Sequence, residues 1–189
     1  MSELFRTHRA MVERLIGRLV GPSPDFEDLV QSTFVEVIRN LPRFRGEAKV
    51  STWICGIAVH VAHHHLRAGK VRRHVPLEVV TGDDQQRPGG PLVDPQPSAE
   101  NDIDGRRVSR KLHTLLDKIS AKKRIALTLY VMDDRSVEEV AALMGATQTA
   151  TRSRMYFARR ELRKLISSDA ELRDWSAALL NRSAAGGHA

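Results

Sequence analysis

The stretch PLEVVTGDDQQRPGGPLVDPQPSAENDIDG, from Pro76 to Gly105, holds five of the chain's eight prolines. Proline removes a backbone donor and fixes φ, and glycine resists ordering, so this density blocks helix and sheet alike. The stretch reads as a linker. An unstructured segment of about 30 residues is uncommon inside a compact domain, so it predicts two domains that can move apart. At 189 residues there is room for two small ones. The hydrophobic fraction of 41% suffices for packed cores, and the low aromatic content of 5% suits small helical units better than a β-sandwich.

Charge follows the same division. Residues 1–76 carry 12 basic and 7 acidic side chains, residues 77–105 carry 1 and 7, and residues 106–189 carry 17 and 9. Two basic blocks flank an acidic strap. Basic domains attract polyanions through counterion release, which makes nucleic acid the first partner to consider and an acidic membrane surface the second. A merely solvated surface is the bland alternative. The single cysteine, Cys55, excludes an internal disulfide and any cysteine-based zinc cluster. Charge interrupts MSELFRTHRAMVERLIGRLVG every few residues, so it reads as neither signal peptide nor membrane span, and no other stretch approaches the roughly 20 apolar residues a span needs. The expectation is a cytoplasmic protein with no membrane insertion.

On either side of the strap, apolar residues recur at helical spacing. Leu4, Met11, Leu15 and Leu19 suggest one or two helices ending at Gly21-Pro22. Ser23-Pro24-Asp25 starts the next, carried by Leu29, Val30, Phe34, Val37, Ile38 and Leu41 to Pro42. RFRGEAK is a loop, and a long helix runs from Ser51 or Thr52 to about Arg73. Beyond the strap, patterns cover Val108 to Ile119, Lys122 to Val131, Val137 to Met144 and Thr149 to Ile166, with a short tail helix around Leu172 to Leu179. No segment alternates with period two. The fold class is all-α: a helical domain over 1–75, a flexible acidic linker over 76–107, a second helical domain over 108–168 and a tail over 169–189.

The most specific local signal is SVEEVAALMGATQTATRSRMYFARRELRKL. Ser136 and Glu139 have the spacing of a capping box. Val137, Val140, Ala141 and Met144 form a stripe, Gly145 permits a left-handed turn, and Thr147 can cap the next helix. A short helix, a glycine turn and an arginine-loaded second helix make a helix-turn-helix. Thr151, Met155, Ala158, Leu162 and Leu165 lie on the inner stripe of that second helix. Gln148, Thr149, Arg152, Ser153 and Tyr156 lie outside near its N-terminal half, where base edges are read. Arg154, Arg159, Arg160, Arg163 and Lys164 suit phosphates or solvent. The competing reading is an αα-hairpin whose basic face only keeps it soluble.

A second motif is DFEDLVQSTFVEVIRNLPRFRGEAKVSTWICGIAVHVAHHHLR. Asp25, Asp28, Leu29, Gln31 and Phe34, then Leu41, Pro42, Phe44, Arg45 and Gly46, then Thr52, Trp53, Ile57 and Ala58, and finally His65, Leu66 and Arg67 carry its resemblance. The segment resembles region 2 of bacterial RNA polymerase sigma factors of the extracytoplasmic-function (ECF) group, in the sigma-70 family. The helix-turn-helix resembles region 4 of the same group, in the right order and at the right gap. The resemblance implies a promoter-specificity factor with no catalytic residue, no cofactor and no bound metal. It implies that Asp25, Asp28, Gln31 and Phe34 dock on the clamp helices of the polymerase's largest subunit. It gives Arg45, Lys49, Trp53, His60, His63, His64 and Arg67 to the −10 element, whose strands the region separates. It gives Gln148, Thr149, Arg152, Ser153, Tyr156, Arg159 and Arg160 to the −35 element. The flap of the second-largest subunit and an anti-sigma factor are further partners of the group. Where the group often has aromatic and basic residues, this chain has Cys55 and Gly56, and mid-helix Gly56 costs roughly 1 kcal/mol against alanine.

Four histidines fall within six residues, His60, His63, His64 and His65. At 100° per residue, Ile54, Ile57, Ala58, Val61 and His65 share one stripe, which puts His65 toward the core. His60, His63 and His64 share the opposite arc with Arg67, the face that in this group meets single-stranded DNA. Imidazole can stack on unpaired bases, worth about 1–3 kcal/mol per base. His60 and His64 at i, i+4 could also reach one zinc, but no neighbouring carboxylate or cysteine completes a four-coordinate shell. Two other readings stay open: an autonomous helix-turn-helix regulator and a histidine-metal protein.

Overall fold

The computed structural model describes residues 2–74, 99–170 and 172–173. Every regular element among them is helical: α1 Ser2–Val20, α2 Phe26–Asn40, a 3₁₀ turn Leu41–Arg43, α3 Val50–His74, α4 Ala99–Leu116, α5 Ala121–Met132, α6 Val137–Leu143 and α7 Gln148–Ser167. The strap between 75 and 98 and the tail from 174, with Trp175, lie outside the described residues.

The N-terminal pattern is one helix. It buries Val12, Leu15, Ile16 and Leu19 and ends where Gly21 turns left-handed at φ 77°, donating its N–H to the Gly17 carbonyl at 2.8 Å. Ser23 then accepts from the Asp25 N–H at 3.2 Å, and Glu27 and Asp28 sit in the first turn of α2, where negative charge meets the positive end of the helix dipole. α2 buries Leu29, Val30, Thr33, Phe34 and Val37. The Thr33 hydroxyl is satisfied by donating to the Leu29 carbonyl at 2.8 Å. Ile38, expected on this stripe, is instead 48% exposed.

α3 differs most from its expected phasing. Ile54, Cys55, Ala58, Val59, Ala62 and Leu66 are buried, whereas Ile57, Val61 and His65 are only half-buried. The reason is packing on several sides: α3 meets α1, α2, α5 and α6, so its buried arc is wider than a single stripe and rotated from the expected one. His65 sits at the rim, with Nδ1 3.8 Å from Asp25 Oδ2.

The expected linker is too long at its C-terminal end, because α4 begins at Ala99. No proline follows Pro97 in that stretch, and residues 99–107 wind as helix. A lone Gly105 weakens a helix without breaking it. In the helix-turn-helix the local signals hold. Ser136 Oγ accepts from the Glu139 N–H at 3.2 Å and Glu139 Oε2 accepts from the Ser136 N–H at 2.9 Å. Gly145 is left-handed at φ 56°, and Thr147 Oγ1 accepts from the Ala150 N–H at 3.2 Å. Asp169 caps the last described turn similarly, accepting from the Leu172 N–H at 3.1 Å, and Leu172 buries itself with Val108 and Leu115.

The two groups of helices do not stand apart. Ile125, Ala126 and Leu129 of α5, Val140 and Leu143 of α6 and Met155 of α7 belong to the same buried cluster as Val12, Ile16, Leu19, Ile54 and Ala58 of α1 and α3. A separate cluster of Leu116, Ile119, Leu127 and Ala158 belongs to the second group alone.

Candidate nucleic-acid and polymerase interface

α7 is anchored from inside. Thr151, Met155 and Ala158 are buried, and Leu162 and Leu165 pack against the second group's cluster. That leaves the opposite face in water, and Gln148, Thr149, Arg152, Ser153, Tyr156, Arg159 and Arg160 are all exposed there. Arg152 Nη2 donates to Gln148 Oε1 at 3.3 Å and lies 3.8 Å from Glu138 Oε1. The Arg159 guanidinium stacks over the Tyr130 ring at 5.0 Å, a cation–π arrangement that fixes its direction. A groove of about 360 Å³ runs along this face, lined by Tyr130, Val137, Met155, Tyr156 and arginines of α7. Guanidinium forks beside a groove suit phosphate and guanine edges.

On the first group, Phe44 and Trp53 pack ring on ring, 4.8 Å between centroids at 35°, and so close the 44–49 loop onto the start of α3. Gly46 bends that loop at φ 73° and leaves Arg45 and Lys49 exposed. Trp53 is half-buried, while His60, His64 and Arg67 are exposed. At 100° per residue, Trp53, His60, His64 and Arg67 fall within one narrow arc, a stripe about 21 Å long. Gly56 lies on it, and a Cβ there would meet nothing within 4 Å. His63 departs from this arrangement: it is half-buried, and burial first, then the charges of Lys122, His60, Arg67 and His64, push its pKa down. Lys122 belongs to α5, so His63 looks toward the seam between the groups. Among the described residues no group of three or more His, Cys, Asp or Glu could hold a metal ion.

The docking face of α2 also needs correction. Phe34 is 5% exposed and packs edge-on against Phe5 with centroids 4.6 Å apart, so it holds the helix in place and cannot reach a partner. Asp25 is half-buried beside His65. Asp28 and Gln31 are exposed, and Val35 and Ile38 join them at 45% and 48% exposure. These four share one arc of α2. The sequence pattern passes over Val35 and puts Ile38 in the core, although the helical angle from Asp28 places both on its face.

At the seam, Arg124 of α5 is 1% exposed. Its Nε donates to the Leu19 carbonyl at 2.8 Å and its Nη2 to the Val20 carbonyl at 2.7 Å. Nη1 pairs with Asp117, and Nη2 is 3.2 Å from His113 Nδ1. Arginine has only donors, so His113 accepts and is neutral. Burial and then the Arg124 charge push its pKa down to about 4, against an opposing pull from Asp117. Arg18 pairs with Asp133 across the same seam. None of this is legible in the sequence, because each pair joins residues brought together only by tertiary packing.

Two helical groups, each with an outward stripe suited to nucleic acid, define a class that the relatives specify further. The family description Sigma-70 region 2 matches residues 4–72, and Sigma-70, region 4 matches residues 109–162. The ECF RNA polymerase sigma-E factors of Escherichia coli K12 and Salmonella typhimurium LT2 are 31% identical over 148 residues, 78% of this chain and 76% of theirs. The RNA polymerase sigma-H factor of Pseudomonas aeruginosa is 28% identical over 152 residues, 80% of this chain and 78% of its own. Among solved structures, the sigma factor RpoE of Bartonella quintana, in complex with the anti-sigma factor NepR, superposes with a TM-score of 0.57 at 20% identity, over 89% of this chain and 97% of that one. CnrH, in complex with the cytosolic domain of CnrY, gives 0.58 at 20% identity, over 89% and 88%. The chain belongs to the sigma-70 family, the promoter-recognising factors of RNA polymerase. Within that family its relatives place it in the ECF group.

Proposed function

We propose that this chain binds core RNA polymerase, directs it to −10 and −35 promoter elements and starts transcription of a specific set of genes. The stripe Asp28, Gln31, Val35 and Ile38 docks on the clamp helices of the largest subunit, with its one acid, Asp28, toward basic groups and an apolar centre. The loop carrying Arg45 and Lys49, with Trp53, His60, His64 and Arg67 behind it, takes the −10 element and its unpaired strand. α7 enters the major groove at −35, and its group meets the flap of the second-largest subunit. An anti-sigma factor is a further partner, as the relatives solved with one suggest. The chain acts in the cytoplasm beside the polymerase, and no helix among the described residues is long and apolar enough to cross a membrane. The chemistry of RNA synthesis stays with the polymerase, and this chain supplies recognition.

The observation that carries this reading is the sorting of α7: its inner residues are buried, while all seven residues assigned to −35 stand in water. The test is transcription reconstituted from core polymerase, this chain and a library of genomic fragments. Specific starts are expected with the wild type and should be lost with Asp28→Ala plus Gln31→Ala. Absence of starts from every fragment contradicts the proposal.

A further inference from the structure

We infer that the groove along α7 is a binding site for a free nucleoside di- or triphosphate, and that the bound nucleotide competes with −35 duplex for Arg152 and Tyr156. The competition rests on the promoter reading above; the binding itself rests on the groove.

At 100° per residue, Arg152, Tyr156, Arg159 and Arg163 fall within about 60° of one another around α7. Their arc is centred about 100° from the buried Thr151, Met155 and Ala158. The outermost ridge, opposite the core, is instead Thr149, Ser153 and Arg160. The groove therefore runs along the flank of α7, on the side of α5 and α6. Tyr130 of α5, Val137 of α6 and Met155 complete its lining around about 360 Å³. One wall is apolar and the other cationic. The volume falls in the range of small-ligand sites, roughly 300–1,000 Å³.

The two walls match a ring joined to a polyphosphate. Tyr130 covers one face of the Arg159 guanidinium, 5.0 Å from the ring centroid. Guanidinium N–H donors lie in the plane of the group, so this stacking leaves them to phosphate oxygens and leaves the second face to a base. Tyr156, 63% exposed, offers another ring, and stacking of this kind tolerates any base. Arg163 follows one turn beyond Arg159, about 6 Å along the axis. Among the described residues no carboxylate pairs with Arg159, Arg160 or Arg163: Glu161 turns to Lys123, and only Arg152 has an acid, Glu138, at 3.8 Å. Such a row of like charges repels itself, and a dense anion relieves it. A duplex brings phosphates to the cationic wall but no free ring to the apolar one, whereas a nucleotide fills both. Arg152 and Tyr156 face the groove and the −35 element together, so the two ligands exclude each other.

The test titrates the full chain with ATP by calorimetry, without DNA and at about 150 mM salt to screen unspecific attraction. Adenosine and inorganic pyrophosphate are separate probes for the ring and the phosphates. ATP should bind at one site, at least about tenfold more tightly than pyrophosphate, since the base adds its stacking, and adenosine should bind more weakly than ATP. Tyr130→Leu removes the ring beneath Arg159 and should weaken ATP about tenfold with pyrophosphate little changed. Arg163→Gln, at an exposed position, should weaken ATP and pyrophosphate alike, and carries the test if Tyr130→Leu loses helicity. In a second arm, ATP should displace the chain from a −35 duplex. Equal affinity for ATP and pyrophosphate, several equivalent ATP molecules per chain, or affinity unmoved in both folded variants means a merely basic face and overturns the site. Binding of ATP that leaves the duplex in place overturns the competition. A chain that binds no −35 duplex would instead contradict the promoter reading and leave the calorimetry interpretable.

Discussion

α7 and α3 both carry an exposed polar stripe, the two proposed to meet nucleic acid, but they are built in opposite ways. α7 has one buried side, three inward residues at helical spacing and a side-chain cap at its start. Its outward face carries guanidinium groups whose charge does not change in any ordinary buffer. α3 is enclosed by α1, α2, α5 and α6, and its free arc is narrow and carries imidazoles beside Trp53 and Arg67. Fixed charge on an accessible ridge suits a duplex, whose phosphates and base edges are regular. Flat rings with two hydrogen-bonding nitrogens suit bases that have left the stack.

The comparison is broken most directly by exchanging the two assays. Arg152→Ala should weaken binding to a −35 duplex by about 1–3 kcal/mol and relax base preference at one position, while permanganate reactivity at −10 stays unchanged once the complex is saturated. His60→Ala should do the reverse, lowering permanganate reactivity at −10 with duplex affinity at −35 retained. If either variant moves both readouts equally, the division of labour is wrong.

Acid should separate the seam from α7. His113 is neutral at the seam, with its pKa lowered to about 4 from an ordinary value of about 6.5. A lowered folded value contributes stability above about pH 6.5 that is lost as pH falls toward about 4. Facing the ring are Arg124 from α5, Asp117 from the end of its own helix and the Gly21 backbone from α1. His63, lowered in the same direction beside Lys122, adds to the effect. α7 contains no histidine. Between pH 7.5 and 5.5 the chain should therefore lose stability in chemical denaturation, while binding to a −35 duplex, corrected for salt, changes little. Stability that is independent of pH over this range would remove the neutral histidine from the account.

The smallest effect expected is at Gly56. An alanine there meets nothing within 4 Å and replaces a poor helix former in mid-helix, so Gly56→Ala should stabilise the chain by about 0.5–1 kcal/mol in chemical denaturation. A loss of stability would mean that the arc around Gly56 is less open than it stands here.

The contrast between the two helices also explains what sequence can reveal. Where a helix has one neighbour side and its turns are capped locally, period and caps coincide. Ser136, Glu139, Gly145 and Thr147 are assignable from sequence, and each does in the structure what its chemistry suggests. Where a helix is enclosed, a single stripe underestimates the buried arc, so the pattern turns His65 inward and passes over Cys55, Val59, Ala62 and Leu66. On α2 apolar character alone does not say which side is core, so Ile38 is exposed against expectation, whereas Phe34, given to docking by the resemblance, is buried where the apolar stripe puts it. The helical start at Ala99 is hidden by the prolines before it. Arg124 is unreadable, because two of its partners are main-chain carbonyls, which leave no trace in residue identity, and Asp117 and His113 meet it only once the helices pack.

The most direct measurement is a pair of footprints on one promoter, taken with this chain alone and with the same chain joined to core polymerase. The combined complex should protect both the −10 and −35 elements, and the free chain should protect neither at concentrations that saturate the complex. Equal protection of a single operator by the chain alone, unchanged by polymerase, would contradict the account.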